Sequence, residues 1–378
     1  GRGGTAAGCC ERAGEGGRRA MSGLDGEWGG MSLREEAEWR RKLFPGVGEW
    51  EWEDWEWQAA HRVRRAEEVA ERIADLSERE RLGLTAAERW RMPLCLTPYA
   101  LVLAAADRPD GAIRRMLLPD EREGRRRAEE REDPLGEGDH EVAPGLVRAY
   151  PHKALFLASG DCAAACRYCT RARTAGRFGT AEAGDGEEAL RWLEGCGDIR
   201  DVLVSGGDPL MLGDGRLAAL LRRLRGMRHV RLIRVGTKTP ATLPQRITGR
   251  LVDVLKGAAP LWASVHVSHP AELTERACGA LRRLAGSGIP VMNQCVLLKG
   301  VNDREEVLGE LFERLVWLGV KPYYLHHGDL AAGTGHFRCT KAAGRRILRN
   351  LQGTLPGYAM PLFMEDPPGG GKKRALGW

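Results

Sequence analysis

The sequence predicts an α/β protein, a partial (β/α)6-type barrel entered through a helical N-terminal region. Three observations lead there. From Tyr150 onward, short apolar runs alternate with amphipathic stretches, the rhythm of βα units on a parallel sheet. Before that point the chain is charge-rich, with apolar residues at three- and four-residue steps. The conspicuous polar clusters follow the apolar runs, at the strand ends where such barrels carry their sites.

In chain order, residues 1–30 are rich in Gly, Arg and Ala, lack periodicity and contain Met21. They have no apolar stretch between a charged start and a cleavage site, so they read as a disordered tail or a non-native start rather than a signal peptide. Residues 31–145 read as the helical region, with helices over Leu33–Leu43 and Trp55–Leu76. Thr85 followed by Glu88 suggests a capping box. Asp120–Asp133 is almost entirely charged and reads as a solvated linker or exposed helix. Residues 146–366 form the barrel. Its predicted strands are Ala154–Ala158, Asp201–Ser205, Val230–Gly236, Leu261–Val267, Val291–Leu298 and Pro322–Leu325. Its predicted helices are Glu187–Leu193, Leu217–Leu224, Ile247–Lys256, Glu272–Ala285 and Glu305–Leu318. Residues 367–378 are a Gly- and Lys-bearing C-terminal segment.

Composition narrows the function classes. A chain of 378 residues, 43% hydrophobic and 29% charged, has ample core for a globular protein. No apolar run is long enough to cross a bilayer, which argues against a membrane partner. The net charge of +6 is spread along the chain without an aromatic-studded basic stripe, which argues against nucleic acid. Seven cysteines (Cys9, Cys10, Cys95, Cys196, Cys278, Cys295, Cys339) show no disulfide-framework spacing and fit a reducing, cytoplasmic setting.

The other three lie in Cys162-Ala-Ala-Ala-Cys166-Arg-Tyr-Cys169, directly after the first predicted barrel strand. A [4Fe–4S] cluster is held by thiolates, ideally one per iron, so three leave one iron open to a small molecule. Radical S-adenosylmethionine (SAM) enzymes bind SAM at that iron. A structural zinc site wants four ligands in CxxC pairs and fits less well. After the second strand, Ser205-Gly206-Gly207-Asp208 offers close backbone approach, exposed amides and an acid, able to hold the amino-acid end of SAM. Near the C-terminus, Asp366-Pro-Pro-Gly-Gly-Gly371 runs into Lys372 and Lys373. The phosphate-binding pattern GxxxxGK[ST] is absent. A lysine beside such a loop can instead form a Schiff base with pyridoxal 5′-phosphate (PLP).

From about Trp52 to Gly377 the chain resembles the lysine 2,3-aminomutase family, radical-SAM enzymes that use PLP. The resemblance rests on linked motifs in order: Trp55-Glu56-Trp57-Gln58, Leu96-Thr97-Pro98-Tyr99, Asp133-Pro134-Leu135-Gly136, Cys162–Arg171, Thr239–Thr248, Asn293-Gln294 with Leu297–Asp303, Tyr323–Asp329, and His336-Phe337-Arg338. It implies that Cys162, Cys166 and Cys169 bind the cluster, and that Ser205, Gly206, Gly207 and Asp208 bind SAM. Arg171 would pair with the substrate carboxylate, and Asp329 with Asp366 would clamp the distal ammonium of lysine. The family spacing from Asp366 places the PLP Schiff base on Lys373, with Lys372 the second choice.

Two departures stand out. The family's arginine-rich PLP-phosphate stretch is here Ala149-Tyr150-Pro151-His152-Lys153, so one cation is lost and Lys153 replaces the other beside Tyr150. Arg304 follows Asp303 where zinc-holding members have Cys, and the cysteine cluster beyond the PLP lysine is missing, so zinc is not expected. The same missing tail leaves open whether the chain forms a homo-oligomer. The resemblance implies conversion of L-lysine to β-lysine by 1,2-amino migration, with an electron donor such as flavodoxin or ferredoxin. The alternatives are a β-lysine-forming enzyme serving elongation factor P modification, or a 2,3-aminomutase acting on glutamate or another amino acid. Thr170 and the tryptophan-rich opening argue against the first, and the Asp329/Asp366 pair against the second. A non-catalytic iron–sulfur module is the rival from another class.

Overall fold

The helix Leu33–Leu43 starts where Ser32 and Glu35 close a reciprocal cap, the Glu35 carboxylate accepting from the Ser32 N–H at 2.8 Å. In this computed structural model, which describes residues 30–87, 93–174 and 186–377, that helix opens an N-terminal helical layer. Of the tail read into residues 1–30, all but Gly30 lies outside the described residues.

Three expectations for this layer are corrected. The helix expected over Trp55–Leu76 breaks into Trp55–Ala60 and Ala66–Arg72, because Val63 between them spends its backbone on an antiparallel bridge to Leu96. Thr85 lies inside the helix Glu78–Ala86, its hydroxyl donating to the Arg81 carbonyl at 2.9 Å, and that helix is capped by Ser77 and Glu80. Glu88 lies outside the described residues. The charged run from Asp120 is not wholly solvated, since Glu123 is buried in an ion pair with the equally buried Arg167. The centre of the layer is Pro98–Ala106, capped by Thr97 with Pro98 in its first turn and buried along nearly its whole length.

Ten strands follow, in the same order along the sheet as along the chain. They are β1 Glu141–Ala143, β2 Leu146–Tyr150, β3 Lys153–Ser159, β4 Asp201–Gly206, β5 Leu232–Thr237, β6 Leu261–Val265, β7 Val291–Leu297, β8 Val320–His327, β9 Leu362–Glu365 and β10 Arg374–Ala375. Strands β3 to β9 are parallel; β1 and β2 at one end and β10 at the other pair antiparallel. All six predicted strands form, and β9, which no helix follows, adds a seventh parallel one.

Alternation sorts each strand into two faces. Val202, Val204, Ile233, Val235, Ala263, Val291, Cys295, Leu325 and Phe363 pack into a core with the apolar stripes of the flanking helices. Each fully buried Val, Ile, Leu or Phe among them stabilises by about 1.5–3 kcal/mol. The other face, with Asp201, Leu203, Ser205, Arg234, Ser264, Gln294 and Tyr324, lines a cavity of about 1020 Å³. The sheet curls far enough to bring its ends together: the Lys373 N–H, beside β10, donates to the Tyr150 hydroxyl of β2 at 3.1 Å. This is the partial barrel expected. The N-terminal layer packs over one mouth, burying Trp52, Tyr99, Leu101 and Met116 with Ala164, Tyr168, Leu298 and Phe337.

Candidate active site

The cysteine loop leaves β3 at that mouth. Alanines separate the first two thiols because the loop is threaded against the N-terminal layer. Thr97 N–H donates to the Ala163 carbonyl (3.0 Å), Ala165 N–H to Cys95 (2.9 Å) and Arg167 N–H to Met116 (2.9 Å), leaving Ala163–Ala165 buried without room for longer side chains. Arg62 reaches in from the layer to the Asp161 carboxylate (2.6 Å) and the Cys162 carbonyl (2.8 Å). Burial pushes all three thiols up, Cys162 well above the ordinary range and Cys166 to about 11, and each feels its neighbours. On Cys169 the Arg171 N–H, at 3.3 Å, works the other way. A metal inverts that balance and takes the thiolate. Among the described residues no three His, Cys, Asp or Glu side chains converge as ligands of one ion. A cluster taking one thiolate per iron does not ask them to.

The loop after β4 lies against the cysteines. Gly206 has φ +127°, and a Cβ there would strike the Ser159 carbonyl; a Cβ on Gly207 would come within 2.9 Å of the Cys162 sulfur. The two glycines thus keep a narrow cradle open beside the thiols. Asp208 departs from expectation. Its buried carboxylate accepts from the Thr237 hydroxyl (2.8 Å) and from the N–H groups of Leu210 (3.0 Å), Lys238 (2.8 Å) and Thr239 (3.0 Å). It braces the β4 and β5 loops against each other and has little capacity left to grip a ligand.

Sequence reasoning missed several neighbours. Lys238 forms a buried ion pair with Glu272, and its ammonium donates to the His266 carbonyl at 3.3 Å. His266 meets the Tyr168 hydroxyl and Ser268, each at 3.1 Å, and burial, then Lys238, keep its ring neutral. Glu137 holds Arg171 through Nε at 2.8 Å. No local pattern marks these residues; they meet only through the curl of the sheet.

Further along the cavity Lys373 Nζ lies 2.5 Å from Asp366 and His326 Nδ1 lies 3.6 Å from the same carboxylate. Burial and then Lys373 pull His326 down to about 3. Asp329 is pushed up to about 7, chiefly by burial and next by Asp366, with Lys373 and Arg171 opposing. Lys373 is half-buried while Lys372 is exposed. Arg171, Asp329, Asp366, Lys372 and Lys373 all line the one cavity that the cysteines also line. Tyr150 and Lys153 line it too, but from the start of β3, one strand length (roughly 20 Å) from the cysteine loop. The expectation that the conspicuous residues gather at strand C-termini is corrected accordingly: the cavity runs the length of the barrel.

These donor sets fit the three groups the motifs imply. The three thiols suit a cluster with one open iron, the glycine cradle beside them suits the backbone-lined approach of an amino-acid headgroup, and a half-buried lysine with cations nearby suits PLP. The pattern of the radical SAM superfamily matches residues 157–312. The chain is 39% identical over 344 residues to the L-lysine 2,3-aminomutase of Acetoanaerobium sticklandii, covering 91% of this chain and 81% of that one. It is 38% identical to the L-lysine 2,3-aminomutase of Clostridium subterminale (88% and 80% covered) and 31% identical to the glutamate 2,3-aminomutase of Clostridioides difficile (92% and 82% covered). With that identity sustained across four-fifths of its relatives, the chain belongs to the lysine 2,3-aminomutase family of radical SAM isomerases.

Proposed function

We propose that this isomerase moves the amino group of L-lysine from carbon 2 to carbon 3, giving β-lysine. The observation that carries the substrate is the Asp329–Asp366 pair at the Lys373 end of the cavity. Two carboxylates select a cationic side chain, because an apolar one would leave them buried without a partner and a third carboxylate would be repelled. That disfavours glutamate.

When bound, the [4Fe–4S] cluster with SAM supplies a hydrogen-abstracting radical, and PLP supplies the π-system that carries the migrating nitrogen. The chain's residues divide the remaining work. Cys162, Cys166 and Cys169 hold the cluster. Ser205, Gly206 and Gly207 line the approach of the SAM headgroup, with Asp208 keeping that loop in place. Lys373 would provide the amine that attaches PLP, and Tyr150 and Lys153 would face its phosphate. Arg171 would take the substrate carboxylate through Nη1 while Glu137 holds its Nε and Nη2. In the free chain the Lys373 ammonium neutralises Asp366, the carboxylate that would take the substrate's distal ammonium. The N-terminal layer over the mouth keeps water from the radical.

The reducing electron would come from a flavodoxin or ferredoxin, in a cytoplasmic setting that keeps cluster and thiols reduced. The test is anaerobic reconstitution with iron, sulfide, PLP, SAM and a reductant, then amino-acid analysis after incubation with L-lysine and, separately, L-glutamate. β-Lysine from lysine alone is expected. A fully loaded protein that makes β-glutamate, or no β-amino acid, would overturn the reading.

A further inference from the structure

We propose that Arg234 is the principal grip on the PLP phosphate in this chain, doing the work lost where Ala149 stands before Tyr150. The proposal rests on the reading that PLP attaches to Lys373. PLP joins lysine through a carbon next to the ring position that bears its phosphate arm, so the phosphate must settle within a few ångströms of Lys373. Among the described residues the cations lining the cavity are Lys153, Arg171, Arg234, Lys238, Lys372 and Lys373. Lys238 is tied to Glu272 beside the cysteine loop, Arg171 is held by Glu137 and suited to the substrate carboxylate, Lys372 is exposed, and Lys373 is the point of attachment.

Lys153 and Arg234 remain, on the two strands that flank Asp201 of β4. On adjacent strands Lys153 is the register partner of Asp201, and Asp201 of Leu232, two residues before Arg234. Arg234 gives its Nε to Asp201 at 2.8 Å, one of five N–H donors, leaving the others for an anion. Tyr324 links this corner to Lys373: the Lys373 ammonium lies 6.0 Å from its ring centroid, and Arg234 and Tyr150 are both its electrostatic neighbours. Lys153 leans over the Tyr150 ring at 5.2 Å. Lysine offers a movable point charge, whereas a guanidinium fixed by a carboxylate presents a planar fork matched to phosphate oxygens. With one carboxylate against two cations, the corner keeps net positive charge for a dianion. Asp201 is the positioning residue that aims the fork.

The test separates the phosphate from the rest of the cofactor. PLP and pyridoxal, which lacks the phosphate, are titrated into the full-length protein, binding being followed by the visible absorbance of the lysine-attached form. Arg234→Gln should weaken PLP roughly 10- to 100-fold and leave pyridoxal within about two-fold, with a smaller PLP loss for Lys153→Gln. Arg234→Lys, which keeps the charge but not the fork, should fall between and serves should Arg234→Gln fail to fold. Unchanged PLP affinity in Arg234→Gln, or parallel losses of PLP and pyridoxal in both Arg234 variants, would overturn the proposal. Attachment that persists in Lys373→Ala would instead overturn the underlying placement of PLP, and is seen without touching Arg234.

Discussion

Replacing Asp329 with asparagine tests the charge logic of the substrate pocket most directly. With its carboxyl pushed up to about 7 by burial and by Asp366, Asp329 is about half ionised near neutrality. A lysine ammonium binds the ionised form, so the pocket should release a proton as substrate enters, and affinity should fall as pH drops. Roughly nine-tenths of the carboxyls are ionised at pH 8 and one-tenth at pH 6, which sets a loss approaching tenfold across that range. The folded value lies above the ordinary carboxylate value of 3.8, so this group's penalty to the folded chain grows as pH rises from about 4 to 7. Stability of the lysine-free protein should therefore improve on acidification through that window, while lysine binding weakens. Asp329→Asn keeps the shape but removes one charge-assisted contact, a loss of about 1.5–3 kcal/mol, or roughly 10- to 150-fold in lysine affinity at pH 8. The assay is the lysine dissociation constant at pH 6, 7 and 8, read from the change in PLP absorbance, with KM alongside. A variant that binds lysine as tightly as the parent at pH 8, or a parent with flat affinity from pH 6 to 8, would refute the argument.

The remaining predictions concern what holds the site in place. Cys162→Ser, Cys166→Ser and Cys169→Ser should each lose most iron and sulfide after anaerobic reconstitution; a full complement of four irons in any of them would count against that cysteine. Asp208→Ala strands the Thr237 hydroxyl and the N–H groups of Leu210 and Lys238, while Thr239 N–H keeps the Thr237 hydroxyl, and should cost about 2–4 kcal/mol in denaturant unfolding, with Asp208→Asn recovering part. No loss would mean that loop does not depend on the brace. Arg167→Met leaves Glu123 charged and buried, so stability should drop by about 3–5 kcal/mol, whereas the pair Arg167→Met and Glu123→Leu should recover most of it. Equal losses in the single and double variants would refute that account.

What could be read from the sequence was what is local. The cysteine triplet sits in eight residues, and each of the six barrel strands is an apolar run between turn signals, so both were visible. Strand β9 was not, because no amphipathic helical stretch follows Leu362–Glu365 to mark a βα unit. The break at Val63 depends on Leu96, thirty-three residues on, and no helical pattern within Trp55–Leu76 announces it. Glu123 looks like its neighbours in a charged run; only Arg167 beneath it makes it a buried ion. Asp208 was legible as part of the glycine loop, but its donors were not, because they come from the turns after β4 and β5. Arg234 and His266 became candidates only once the curl of the sheet put them in a shared cavity.

The hydrogen bond from the Lys373 N–H to the Tyr150 hydroxyl ties the second strand of the sheet to the segment beside its last. The residue assigned to fasten the cofactor therefore also fastens the barrel, as a clasp across its seam. Linkage makes the two reciprocal: whatever draws Lys373 inward steadies the final strand, and whatever frays that strand loosens the cofactor by the same free energy. Resistance of the C-terminal segment to proteolysis should accordingly rise and fall with PLP concentration, so that the last few residues of the chain report on the loading of its centre.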